Sequence, residues 1–223
     1  MGVTVGPLSA ISTKQAAKLR SKMVITSRSA YPITTSFPPA LETLCVNGCL
    51  LRKIDSRIMK LSKLVSLNLS DNHISALADD WNSLPNLAEL RLAKNQLSDL
   101  PATMFTSKLH ISLAHVDLSD NQLQTLNASI YNLSNLAVLK LDRNRLVGLP
   151  SGIGKLTRLV QLSASGNLLR TLPGDFDRLT LNSLDLSDNP LAEDTPTAVV
   201  PCDDGMDVPT LFEWAARCVK NKQ

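Results

Sequence analysis

The residues of this chain that are equipped for chemistry are few and far apart. Its histidines are His73, His110 and His115, and its cysteines are Cys45, Cys49, Cys202 and Cys218. Between them they offer imidazole, thiol and metal-ligand chemistry. No two cysteines form a close C-x-x-C, and no histidine pair has metal-ligand spacing with a cysteine partner. The glycine-rich stretch "SGIGK" at 151–155 lies inside a repeating unit and reads as a turn rather than a phosphate cradle. No Ser, Cys or Thr is set by spacing beside a His and an Asp. An enzyme, a metal and a cofactor are therefore not expected. Two kinds of polar residue remain: asparagines that recur at a fixed interval, and charged residues that alternate with leucine.

Those asparagines belong to a pattern. Seven segments fit L-x-x-L-x-L-x-x-N-x-L. They are "LETLCVNGCLL", "LVSLNLSDNHI", "LAELRLAKNQL", "LAHVDLSDNQL", "LAVLKLDRNRL", "LVQLSASGNLL" and "LNSLDLSDNPL". The Asn slot is filled by Cys49, Asn72, Asn95, Asn121, Asn144, Asn167 and Asn189, at spacings of 23, 23, 26, 23, 23 and 22 residues. In each L-x-L, two apolar side chains point inward from a short strand and the residue between points out. The chain must then turn, and the Asn side chain can bond backbone groups the turn leaves unpaired. Cys49 brings a weaker donor to the first slot.

The second half of each unit supplies further core residues from the opposite side, as with Leu126, Ile130 and Leu133 or Leu149, Ile153 and Leu156. Units this short predict turns and 3₁₀ pieces there rather than long helices. The expected fold is an α/β, right-handed leucine-rich repeat solenoid. It has about seven repeats, a parallel concave sheet and a C-terminal helix. The predicted division is a mobile tail at 1–22, an N-terminal strand and turn capping the first repeat at 23–40, repeats at 41–191, an acidic linker at 192–208 and a helix at 209–223. Two irregularities stand out. "PATMFTSKLHIS" adds three residues before Leu113, expected to bulge on the convex side, and Ala164 replaces a core Leu.

Composition agrees with a repeated core position. About 40 residues are Leu while aromatics make up 4%, an imbalance no mixed globular core has. A net charge of +3 is too balanced to argue for nucleic acid or an anionic membrane. No run approaches the ~18 apolar residues of a membrane span. "MGVTVGPLSAISTKQ" has neither the basic start nor the apolar run of a signal peptide. Gly6 breaks the myristoylation pattern. The disulfide end caps of extracellular arrays are missing, which favours a reducing, intracellular compartment.

Binding residues are expected on the outward positions of the strands. The central column reads Asn68, Arg91, Asp117, Lys140, Ser163 and Asp185, with His115 beside it and Arg143 just beyond. Its charges alternate, and neighbours at strand spacing can pair. The face is either a solvated surface that satisfies itself or a polar surface for docking a protein. The second reading centres on Arg91, Asp117, Lys140 and Arg143, with Asn68, His115 and Asp185 around them.

After Leu191 the chain carries five acids and no Lys or Arg as far as Pro209, spaced by prolines. Then comes "PTLFEWAARCVKN". Thr210 and Glu213 form a capping box. Leu211, Ala215 and Val219 make an apolar stripe at i, i+4 and i+8. This helix is either a cap on the last repeat or a binding helix. Its form, Thr-Leu-x-x-x-Ala-x-x-x-Val, resembles the box by which cullin-ligase receptors bind elongin C.

The order "KMVITSRSAYP", a Cys-containing first repeat, "LPATMFTSKLHISLAHVDLS", "LSASGNLL" and the closing box resembles the leucine-rich repeat protein one family from about Lys22 to Val219. Its members are nuclear substrate receptors of cullin-2 ubiquitin ligases, implicated in removing the replicative CMG helicase from chromatin. The resemblance implies that Leu211, Ala215 and Val219 face elongin C, with elongin B and a cullin-2 scaffold behind it. It also implies a nuclear location and a target protein held on the concave face. The chain departs from the family in two places. A short tail stands where the family has a domain before the repeats, and Gln223 comes before the cullin-selecting segment, so cullin choice is unsupported. The alternative is a generic intracellular signalling scaffold whose last helix is a cap.

Overall fold

The computed structural model describes residues 21–78 and 80–191. Of the tail expected at 1–22, residues 1–20 lie outside the described residues, as do the acidic linker and the expected final helix with Leu211, Ala215 and Val219; Lys22 does not belong to a tail, because its backbone pairs with Thr43 at the start of the first strand.

Eight short strands form one parallel sheet in sequence order. They are β1 (Lys22–Ile25), β2 (Thr43–Val46), β3 (Ser66–Asn68), β4 (Glu89–Arg91), β5 (His115–Asp117), β6 (Val138–Lys140), β7 (Gln161–Ser163) and β8 (Ser183–Asp185). Seven intervals of about 4.8 Å make it roughly 34 Å across. The seven repeats account for β2 to β8. The eighth strand is the one expected ahead of the array; it starts at Lys22 and pairs in register with β2 from Lys22↔Thr43 to Ile25↔Val46.

The leucines behave as their spacing requires. Leu44, Leu67, Leu90, Leu139 and Leu162, at the strand centres, are fully buried, and Val116 takes the same place in β5. Leu69, Leu92, Leu118 and Leu141 come two residues later, and Ala164 is buried at the equivalent place. The return half of the units carries 3₁₀ segments at Ile58–Lys60, Ala128–Asn132, Ile153–Lys155 and Phe176–Arg178. The unit with three extra residues differs. It folds into two short helices, α1 (Ala102–Thr106) and α2 (Leu109–Ser112), whose Met104, Phe105 and Leu109 are buried. Between them, buried Ser107 donates to Met104 O (2.8 Å) and accepts from Leu109 N (3.3 Å). The extra length thus enters the core instead of merely bulging.

The asparagine ladder does more than close each turn. Asn121 Nδ2 donates to Leu118 O (3.0 Å) and Ser119 O (3.2 Å) in its own turn, and to Leu92 O (2.9 Å) in the repeat before. Its Oδ1 accepts from Leu97 N (3.0 Å), also in that repeat. Asn72, Asn95, Asn144, Asn167 and Asn189 repeat the arrangement. Each is therefore a cross-link between neighbours, which makes the stack cooperative. Cys49 keeps a weak version, with its thiol 3.3 Å from Asn47 O and 3.9 Å from Ile25 O.

The N-terminal cap is pinned by one guanidinium. Arg57 Nε donates to both Asp55 oxygens (3.1 Å each), and its Nη2 lies 2.6 Å from Oδ2. Arg57 Nη1 donates to Thr35 O (2.6 Å), and Tyr31 OH donates to Asp55 Oδ2 (2.8 Å). The guanidinium also faces the rings of Tyr31 and Phe37, at 5.8 and 5.4 Å from their centroids.

Candidate protein-docking face

Strand register decides which outward residues are neighbours. Cys45, Asn68, Arg91, Asp117, Lys140, Ser163 and Asp185 stand in one unbroken row across β2 to β8. His115 stands in the parallel row, flanked by Glu89 and Val138. Arg143 belongs to a third row, the residue just before each ladder position. That row is Gly48, Asp71, Lys94, Asp120, Arg143, Gly166 and Asp188, and all seven have φ between 50° and 63°. Left-handed backbone costs a side-chain-bearing residue roughly 1–2 kcal/mol, so the turn accepts glycine and asks strain of Lys94 and Arg143. The structure thus brings Asn68, Arg91, His115, Asp117, Lys140, Arg143 and Asp185 onto one continuous face.

The charges on this face are not wired as the alternation suggests. Arg91 pairs with Glu89 on its own strand (2.5 Å) and not with Asp117 across the sheet. Glu89 is drawn there because Ser66 Oγ also donates to it (2.6 Å). That hydrogen bond, then the nearby Arg91, lowers the Glu89 pKa. Asp117 accepts instead from Ser119 N (3.1 Å), capping its own turn. Arg143 forms a two-point pair with Asp120, one repeat earlier in the same turn row, which lowers the Asp120 pKa and raises that of Arg143. Asp185 accepts from Ser187 N and Oγ (3.0 and 2.7 Å), which lowers its pKa. Among the described residues Lys140 is in no ion pair, and both paired arginines remain more than half exposed, at 54% and 64%.

One residue escaped the sequence reading. Asp142 accepts from Ser165 N (2.9 Å), Ser165 Oγ (3.0 Å) and Ser163 Oγ, while Ser119 Oγ lies 3.4 Å from its other oxygen. It ties three repeats together on the surface. The signal was available: this column otherwise holds Asn47, Ser70, Ala93, Ser119, Ser165 and Ser187, and Asp142 is its one acid.

The histidines are not brought together. His110 Nδ1 lies 2.8 Å from Ser107 O on the convex side, and His115 is on the sheet. Among the described residues no group of three or more His, Cys, Asp and Glu is placed to hold a metal ion, and no helix is long and apolar enough to cross a membrane. Burial raises the Cys45 thiol pKa, against the pull of Lys22 and Arg91.

A stack of coils that presents one broad polar sheet is a protein-interaction scaffold, and the chain belongs to the leucine rich repeat family, whose model matches residues 39–97, 85–146 and 134–191. It is similar to leucine-rich repeat protein 1 of Mus musculus, 49% identical over 182 residues, which is 82% of this chain and 43% of that protein. It is also similar to leucine-rich repeat protein 1 of Homo sapiens, 43% identical over 215 residues, which is 96% of this chain and 51% of that protein. The chain spans about half the length of these curated relatives. Among solved structures it resembles the leucine-rich repeat ectodomain of the Arabidopsis thaliana receptor kinase GASSHO1/SCHENGEN3, crystallised with CASPARIAN STRIP INTEGRITY FACTOR 2. That match has a TM-score of 0.67 and 30% identity, and covers 79% of this chain and 22% of that one.

Proposed function

We propose that this chain is the recognition part of a substrate receptor in an elongin BC–cullin-2 type RING ubiquitin ligase. The concave row around Arg91, Asp117, Lys140 and Arg143, with Asn68, His115 and Asp185 at its margins, holds the target protein. The final helix hands that target to the ligase through Leu211, Ala215 and Val219 on elongin C. The chain supplies no catalytic residue, because ubiquitin transfer belongs to other subunits. The replicative helicase is the target that the family resemblance implies, and the nucleus the place.

The observation that carries this reading is the reach of the similarity. An alignment over 215 of 223 residues leaves room for few unaligned positions at the end of the chain, so it takes in Leu211 as well as the repeats. The face itself supports docking by holding exposed cations in single, solvent-facing pairs that a partner's acids can replace at little cost.

Retention of purified elongin B and C by the immobilised chain tests the proposal. Binding that Leu211→Ala abolishes supports it. A chain that retains neither elongin while its solenoid is folded would leave a scaffold of another assembly.

A further inference from the structure

The concave row is not the only outward surface of the coil. After each ladder position the chain runs on with one outward residue, one inward leucine or isoleucine and a second outward residue. In the second, third and fourth repeats the outward residues are His73 and Ser75, Gln96 and Ser98, and Gln122 and Gln124, all exposed. These are polar side chains on a solvated edge.

The fifth and sixth repeats depart from that composition. Arg145 and Val147 flank buried Leu146, and Leu168 and Arg170 flank buried Leu169. All four flanking residues are exposed, Val147 at 59% and Leu168 at 50%. Leu168 N donates to Leu146 O (2.9 Å), so the two repeats run side by side here. Arg145 therefore stands beside Leu168, and Val147 beside Arg170. The four make a square, with arginines on one diagonal and apolar side chains on the other.

The coil does not require this arrangement. An outward position makes no packing demand, and glutamine and serine serve in the neighbouring repeats. A single exposed apolar residue is ordinary, but two apolar residues set among arginines have the composition of an interface centre. The positive charge is also unanswered locally. From Leu50 and Arg52 in the first repeat to Leu168 and Arg170 in the sixth, neither outward row contains an acid. Among the described residues neither Arg145 nor Arg170 is in an ion pair. The square is continuous with the concave row through Arg143, two residues before Arg145. The stem of Arg143 crosses the next repeat at Gly166, where a Cβ would come within 3.3 Å of Arg143 Cγ.

We propose that the edge formed by Arg145, Val147, Leu168 and Arg170 docks an acidic segment of a partner protein in which Asp or Glu alternates with apolar residues. The carboxylates meet the two arginines, and the apolar side chains cover Val147 and Leu168. Arg143 links this edge to the concave row. The proposal rests on the array being the part that holds a target, and not on the elongin step.

Fluorescence anisotropy of the full chain with a labelled Asp-Leu-Asp-Leu-Asp-Leu peptide tests it. Binding should saturate, weaken as salt rises, and exceed that of the Asp-Gly and Lys-Leu counterparts of the peptide at least roughly tenfold. A variant carrying Arg145→Gln, Val147→Ser, Leu168→Gln and Arg170→Ser gives the two repeats the polar residues of their neighbours. It should lose binding by a similar factor while melting as before and retaining elongin as before. Arg145→Glu combined with Arg170→Glu should shift the preference to the Lys-Leu peptide, which a variant that had merely unfolded could not do. The proposal is overturned by absence of saturable binding, by equal affinity for the three peptides, by equal affinity in both variants, or by an oligothymidylate bound as tightly. Self-association that the fourfold variant abolishes would assign the edge to a second copy. Binding that appears only after Glu193, Asp194, Asp203, Asp204 and Asp207 are replaced by their amides would assign it to the chain's own acidic stretch. Either result also overturns it.

Discussion

Asp120 and Arg143 occupy the same left-handed turn position in successive repeats and meet as a two-point ion pair. Arg143 Nε lies 2.5 Å from Asp120 Oδ1, and Nη2 lies 2.7 Å from Oδ2. Glycine fills that position in two other repeats, as Gly48 and Gly166. The side chain at 143 is therefore not required by the turn, which pays in strain to carry it. An exposed pair contributes under about 1 kcal/mol. Relief of left-handed strain is of similar size.

Arg143→Gly should accordingly leave the melting temperature within a few degrees of the unmodified protein. If the concave face docks a target through this guanidinium, target capture should fall on the same variant. A large drop in stability would mean that the pair holds the turn, and unchanged capture would remove Arg143 from the docking face.

Reversing Arg91 and Lys140 together tests the centre of the face. Arg91→Glu sets like charge beside Glu89, but on solvent-facing positions of β4 and β6, so the circular dichroism spectrum should persist. Target binding should weaken, and more at low than at high salt. Equal binding before and after would move the site to the convex surface or outside the repeats.

The array should unfold as a unit. Leu118 is buried in the middle of the stack at 1% exposure, and Leu118→Ala should cost about 2–5 kcal/mol through lost burial and a cavity. The same cooperativity makes Asn121→Ala costly, by about 1–3 kcal/mol, because it strands the buried Leu97 N–H and leaves the carbonyls of Leu92 and Leu118 with one asparagine donor each, from Asn95 and Asn144. Chemical denaturation of the two variants reads both values. A biphasic transition would show that the repeats on either side uncouple.

Much of this was legible from spacing alone, because an inward leucine and a turn asparagine are local demands repeated seven times. The register that puts Asn68, Arg91, Asp117, Lys140 and Asp185 in one row comes from repeat length, so the composition of the face was legible too. Its wiring was not. Whether Arg91 turns to Glu89 or to Asp117 depends on Ser66, 23 residues upstream of Glu89, holding the carboxylate in place. The clamp on the N-terminal cap joins Tyr31 to Asp55 across 24 residues with no periodic signature. Asp142 was hidden for the opposite reason: as an acid near other acids and bases it looked ordinary, and only its column marks it.

That clamp gives the cap a pH dependence. Hydrogen bonds from Arg57, outweighing partial burial, hold Asp55 at about 2, below the ordinary aspartate value of 3.8. A depressed carboxylate contributes stability that is complete above its unfolded value and lost as pH falls through its folded value. The window is therefore from about pH 4 down to about pH 2, and the amount is on the order of 2 kcal/mol. Asp55→Asn should remove that increment at pH 7 and flatten the acid limb of the stability curve. An acid limb of the same slope in the variant would assign it to other carboxylates.

The helix expected from Thr210 onward decides between ligase receptor and generic scaffold, and Leu211→Ala is where the two part. A helix as short as the capped stretch from Thr210 is marginal alone, below the ~12–15 residues that isolated helices need, so it must be stabilised by what buries its stripe. If that is elongin C, removing Leu211 deletes a side chain worth roughly 2–3 kcal/mol when fully buried, on the order of a 30- to 150-fold loss of affinity. The solenoid should melt where it did before. If the helix instead lies against Leu184, the same substitution should lower the melting temperature of the array and leave no elongin binding to lose. Thermal unfolding and elongin retention measured on one variant separate these outcomes, because each reading moves one measurement and leaves the other still.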